Sequence, residues 1–278
     1  MTANRLIGWT LLAYVALTIA FILAPIVSSF VFSFNAGRFP SLPWQGFSTD
    51  WYAAVLTDPS IRSGLINSLI VAACSATIAT LLGFTAAYTD YRYKFTGKAV
   101  YVALAMLPPN VPVMILGLAM LVYQSQFSLV GALHSVIIAH VVYCAPFAMA
   151  LVRLRLSQMD PDLEAAAWNL GAGQAQALRH VILPFALPSI LAAFFLTMAV
   201  SFDEFAMAWF VSGFNETLPV RILVLLQREV SPRVNAIGSI VFLVTIVLAL
   251  TALALFSWRR TGGRAVRPST GSDRSDSA

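Results

Sequence analysis

Charge is scarce in this chain. Asp, Glu, Lys and Arg together supply 10% of its 278 residues, against roughly 25% in an ordinary soluble domain. So little charge cannot coat a water-facing surface, and the soluble globular class is set aside. Cysteine is nearly missing. Cys74 and Cys144 both lie inside apolar runs, where a small buried side chain is the expected role and a structural disulfide is not. Histidine is equally rare. His140 and Cys144 share a helical face at spacing four, but His134 faces elsewhere, and two ligands do not close a zinc site. Helix-packing polarity is their expected role, and no metal is predicted. The phosphate loop G-x-x-x-x-G-K-[ST] is absent, so the chain alone is not expected to hydrolyse ATP. There is no H-E-x-x-H, no Ser/His pair and no pair of catalytic Asp residues across apolar runs. No catalytic residue and no cofactor are predicted. The net charge of +5 sits at the edges of apolar runs rather than in a patch with interleaved aromatics, so nucleic acid is not an expected partner. No internal repeat is visible.

What fills the chain instead is apolar. Hydrophobic residues reach 59% and the mean hydropathy is +0.81, which places the chain in a bilayer. A helix needs about 20 mostly apolar residues to cross one, and six stretches qualify: roughly Leu6 to Phe32, Leu65 to Ala87, Ala99 to Tyr123, Val130 to Leu151, Leu187 to Val211 and Ala236 to Trp258. The expected fold is an all-α membrane protein with six transmembrane helices. The first stretch is too long for a signal-peptide core and lacks a clean small-residue cleavage site, so it reads as an uncleaved span.

Six spans put both termini on one side. One orientation places 12 of the 17 Lys and Arg residues in the cytoplasm, leaving Arg38, Arg62, Arg221, Arg228 and Arg233 outside. The positive-inside rule then predicts cytoplasmic termini. The expected organisation is a first helix and external loop over 1–64, a core of five helices over 65–258, and a disordered cytoplasmic tail over 259–278, rich in Gly, Ser and Asp.

Between spans four and five the chain stays inside from about Arg153 to Phe185, and that segment needs structure of its own. Asp160 is a natural N-cap and Pro161 suits the first helical position. Asp162 and Glu164 occupy the first turn, where the helix dipole favours negative charge. Leu163, Ala167 and Leu170 make one apolar face. Gly171 is a natural left-handed C′ residue. A second helix carries Ala175, Leu178 and Ile182, with Pro184 expected to end it and Pro188 to start span five. On residues alone this hairpin either rests on the inner headgroups or docks a cytoplasmic partner. A first helix with two acids and no base favours the partner.

Two further features stand out. Asp203-Glu204 falls within span five, where a carboxylate costs roughly 2.5–3.5 kcal/mol at the bilayer centre. It reads either as interfacial or helix-pairing polarity, or as a pathway position. "LPPNVP" at Leu107 to Pro112, with Pro109 and Asn110 at its heart, is either a simple kink or a broken helix lining a route.

The stretch "EAAAWNLGAGQAQALRHVILP" at Glu164 to Pro184 resembles the cytoplasmic EAA loop of the integral membrane subunits of binding-protein-dependent ABC importers. That pattern is Glu-Ala-Ala, three residues, Gly, nine residues, then Ile-x-Leu-Pro. Gly171 and Leu183-Pro184 match, and Val181 stands for Ile. Counted back from Gly171, the pattern's Glu falls on Ala165, while Glu164-Ala165-Ala166 carries the motif's letters one residue early. "NSLIVAACSATIATLLGFTAAY" at Asn67 to Tyr88 looks like the family's second span. "SFDEFAMAWFVSG", "TLPVRI" and "SPRVNAIGSI", within Ser201 to Ile240, resemble the second permease component of the spermidine/putrescine branch.

The resemblance implies a type I ABC importer permease fold, with a coupling helix between spans four and five. It implies a lipid-embedded subunit paired with a sister permease, two copies of an ABC ATPase subunit below, and a periplasmic solute-binding protein delivering the solute. Asp162, Glu164, Ala165, Ala166, Gly171 and Pro184 would belong to the ATPase-coupling loop. Asp203, Glu204, Pro109 and Asn110 are the expected pathway residues, and a polyamine, putrescine or spermidine, is the expected solute. Another small solute, such as a phosphonate, sulfate, iron, an opine or an amino-acid derivative, is the alternative. A secondary transporter is disfavoured by the six spans and the missing repeat.

Overall fold

A computed structural model describes residues 2–39, 41–228 and 231–257. The expected tail over 259–278 lies outside the described residues, as do Arg259, Arg260, Arg264, Arg267 and Arg274. Among the described residues the chain is helical and forms no strand: α1 (Thr2–Phe32), α2 (Asp50–Thr57), α3 (Pro59–Arg92), α4 (Lys98–Ala105), α5 (Val113–Ser125), α6 (Leu133–Leu156), α7 (Pro161–Asn169), α8 (Gln174–Ala177), α9 (Leu183–Asp203), α10 (Ala206–Val211), α11 (Leu218–Arg228) and α12 (Pro232–Ser257). Among the described residues five helices are long and apolar enough to cross a membrane. The third expected span is divided. α4 and α5 are separated by a 3₁₀ turn at Pro108–Asn110, because three prolines in five residues remove the backbone donors that a continuous helix needs.

The fifth span differs from expectation at both ends. Pro184 does not terminate a helix. α8 runs through a π turn at Leu178–Ile182 directly into α9. A proline clashes with the carbonyl four residues earlier, and the wider π turn just before Pro184 gives that carbonyl room. At the far end α9 stops at Asp203, and Glu204 is extended, with φ −73° and ψ 118°. Asp203 and Glu204 therefore lie at a helix break rather than inside a span.

α3 is the central strut. It is 34 residues long, about 50 Å at 1.5 Å per residue, and packs on both α6 and α9. Its buried face is a row of small residues, including Gly64, Ser68, Ala72, Ser75, Ala79, Gly83 and Ala87. Such rows let helix backbones approach closely. A Cβ on Gly83 would lie 2.6 Å from both Ala148 Cβ and Met149 N of α6. α12 packs on α9, and α1 rests on α12 with its apolar side chains exposed, as a lipid-facing helix requires.

At one end of α3, Asp58 caps the helix by accepting from the Ser60 amide (2.7 Å) and the Ile61 amide (3.3 Å). Its other oxygen binds Arg233 at the start of α12. Burial alone would raise this carboxyl, but those two amides and Arg233 outweigh it and hold it below the usual 3.8. The expected external loop before α3, and the segment that leaves Arg221 and Arg228 outside, are also built. Phe34 stacks on Phe47 at 5.1 Å and Trp51 Nε1 donates to Asn35 O at 2.9 Å. In the other, Leu218 N at the start of α11 donates to Ser68 Oγ at 2.8 Å.

Candidate functional site

Two places concentrate the polar chemistry. The first is the hairpin of α7 and α8. Asp160 accepts from the Asp162 amide at 3.0 Å, and Pro161 occupies the first helical position. At the other end Gly171 has φ +83°. Its N–H donates to Trp168 O at 2.8 Å, and the Ala172 N–H donates to Ala167 O at 3.0 Å, which makes a full Schellman closure. Both expected caps are present.

The two acids of α7 face different surroundings. Asp162 is exposed, but Glu164 is only 6% exposed and forms an ion pair with Arg92 at the end of α3 (Nε to Oε1, 3.5 Å). The same guanidinium lies 4.6 Å from the centroid of the Trp168 ring. Glu164 faces its own chain, toward the end of α3. Ala165, where the family pattern has its Glu, is half-buried, and Ala166 is exposed. Gln174 Nε2 donates to Tyr93 OH at 2.7 Å. The outer face carries Leu163 and Leu170, the last 89% exposed. Pro184 is exposed in the first turn of α9.

The second place is the break after α9. Asp203 is exposed and makes no hydrogen bond or ion pair among the described residues. Glu204 turns inward. Its carboxylate accepts from the Ala206 amide at 3.1 Å and the Met207 amide at 2.9 Å, so it caps α10. Its Oε2 is 3.7 Å from His140 Nε2. His140 is fully buried, with Nδ1 2.8 Å from Ser201 Oγ. Ser201 Oγ is in turn 2.8 Å from Ser75 Oγ. One polar thread thus joins α3, α9, α6 and α10. His140 is helix-packing polarity, as expected, but it also faces Glu204. Only chain topology brings residues 75, 140, 201 and 204 together, so no local signal announces the thread.

Pro109 and Asn110 sit on the turn between α4 and α5, which packs against α6. Asn110 is exposed, and its side-chain amide donates to Met106 O at 2.7 Å. It forms no bond with Asp203 or Glu204. Among the described residues no group of three His, Cys, Asp or Glu side chains is placed to hold a metal ion.

Comparison with known proteins agrees with this architecture. Residues 79–267 match the family described as the binding-protein-dependent transport system inner membrane component. The spermidine/putrescine transport system permease protein PotC of Escherichia coli (strain K12) is 33% identical over 234 residues, 84% of this chain and 88% of that protein. The putrescine transport system permease protein PotI of the same organism is 30% identical over 229 residues, 80% of this chain and 81% of that protein. A chain of a bacterial ABC transporter that imports the acidic polysaccharide alginate superposes with a TM-score of 0.69 at 18% identity, over 93% of this chain and 98% of that one, which shows the shared type I importer permease fold. The chain belongs to the family of inner membrane components of binding-protein-dependent transport systems, as a multi-pass permease subunit of an ABC importer.

Proposed function

We propose that this chain lines half of the pathway of an ATP-driven importer for a polyamine, with its termini and the α7–α8 hairpin in the cytoplasm. The hairpin carries this reading. It is capped at both ends, yet its outer face leaves Leu163 and Leu170 uncovered. Apolar side chains on a rigid, acid-bearing helix suit the groove of a protein partner better than a headgroup layer. The partners are two copies of an ATPase subunit, a sister permease beside this chain, and a periplasmic binding protein on the opposite face. Asp162 and Ala166 face the ATPase, Glu164 and Ala165 face the permease body, and Gly171 and Pro184 shape the hairpin and its exit. The orientation rests on the basic residues. Arg92, Lys94, Lys98, Arg153, Arg155 and Arg179 all fall between residues 92 and 179, at or near the hairpin end of the molecule.

The solute reading rests on the relatives' printed activities and on Asp203. Of the adjacent carboxylates, Glu204 is committed to capping α10, whereas the Asp203 side chain is exposed and has no bonding partner among the described residues. An unpaired carboxylate attracts a cation and repels an anion. The same reading assigns the turn holding Pro109 and Asn110 to the route, on the ground that it breaks the third span. The test is uptake in proteoliposomes holding the co-encoded permease, ATPase and binding protein. ATP-dependent accumulation of spermidine or putrescine, with none of sulfate, supports the proposal. Accumulation of an anion instead overturns the charge argument.

A further inference from the structure

A rigid hairpin moved by an ATPase does nothing unless something fixed to it moves too. Direct chain connection supplies one route, through the π turn into α9. The side chains supply another. α3 ends at Arg92, and the hairpin is held there at three points. Arg92 pairs with Glu164 of α7 at 3.5 Å. Its guanidinium covers Trp168, one turn further along α7, at 4.6 Å from the ring centroid. Tyr93 OH accepts from Gln174 at the start of α8 at 2.7 Å. Glu164 and Trp168 are four residues apart, so they lie on one face of α7 and grip one cation together. Buried Glu164 has no other ion-pair partner among the described residues.

α3 carries that grip to the far end of the molecule. It passes Ser75, bonded to Ser201 beside the break after α9. It then reaches Ser68 and Asn67, which hold the start of α11, and Asp58, which binds α12. A continuous 34-residue helix in contact with α6 and α9 transmits displacement along its length, because packed helices are not continuously deformable.

We propose that Arg92 is a positioning residue that joins the coupling hairpin to α3, so that movement of α7 displaces the α3 rod and with it the region of Asp203. The inference rests on the hairpin being the ATPase contact. It goes beyond that by assigning a second transmission route through α3, independent of the chain connection into α9.

The test uses the complete complex in proteoliposomes, with Arg92→Ala and Arg92→Lys, and reads solute transported per ATP hydrolysed. Arg92→Ala removes the ion pair and the ring contact together, and transport per ATP should fall about five- to tenfold. Arg92→Lys keeps a cation that reaches both partners, and should retain at least about half the wild-type ratio, losing only the planar fit of the guanidinium. Three results overturn the proposal: an unchanged ratio in Arg92→Ala, an equal fall in both variants, or loss of Arg92→Ala from the membrane, which would make the contact a fold element rather than a transmission joint. Co-purification of the wild-type permease with its ATPase, with and without deletion of the α7 tip, reports separately on whether the hairpin is the ATPase contact at all.

Discussion

Neutralising the two adjacent carboxylates after α9 should have separable effects, because their surroundings differ. Glu204 accepts two backbone amides at 3.1 and 2.9 Å and faces a fully buried His140 at 3.7 Å. Glu204→Gln keeps one acceptor oxygen but turns an NH₂ group toward an amide that needs an acceptor. One charge-assisted bond is lost, at a cost of about 2 kcal/mol. That corresponds to a fall of about 5 °C in the melting of the detergent-purified protein. Asp203 has no bond to lose among the described residues, so Asp203→Asn should leave the melting temperature unchanged within about 1 °C. Its effect should fall on the solute. Losing one ion contact worth about 1.4 kcal/mol raises KM for the cation about tenfold, with assembly intact. Thermal melting and uptake kinetics on both variants check the separation. The reasoning is refuted if Asp203→Asn destabilises the protein, or if Glu204→Gln raises KM with no loss of stability.

Three further outcomes follow from single positions. Gly171 has φ +83° and a Cβ there would meet nothing within 4 Å, so Gly171→Asp bears only backbone strain of about 1–2 kcal/mol. Uptake should fall while membrane abundance, read by immunoblot, stays near normal. Gly83→Val is a different case, since its Cβ would lie 2.6 Å from the backbone nitrogen of Met149. α3 and α6 must part at a cost of about 3 kcal/mol or more, and size-exclusion chromatography should show loss of the folded protein. The Asp58 carboxyl, held below 3.8 in the folded state, releases its proton more readily folded than unfolded. Its stabilisation is therefore present above pH 3.8 and lost as pH falls through the lowered value. Asp58→Asn should flatten that part of an acid-melting series, and an unchanged series would count against the cap.

The hairpin's first helix was legible because its signals are local. Asp160, Pro161 and Gly171 each act within one turn, through a cap bond, a missing N–H and a left-handed φ. The same local rules misled at Pro184. A proline after a short helix ordinarily ends it, and only the π turn at 178–182 allows α8 to continue into α9. The end of α9 was illegible for the opposite reason. No Gly or Pro stands near Asp203 and Glu204, and the break is stabilised by Glu204 capping the next helix and facing His140, 64 residues away in sequence. The inward turn of Glu164 was equally hidden, since Arg92 is 72 residues from it. The divided third span was visible in "PPNVP". α11 was not, because Leu218 to Arg228 is too short for a span and lies between the expected fifth and sixth spans.

The most direct test of the central claim is site-specific photo-cross-linking from position 170 on the hairpin. Leu170 is 89% exposed, next to the Schellman turn. A photoreactive phenylalanine there, in the assembled complex in its native membrane, should give one major adduct with the ATPase subunit. Adducts with lipid alone, in a complex that still transports, would contradict the claim and return the hairpin to the membrane surface.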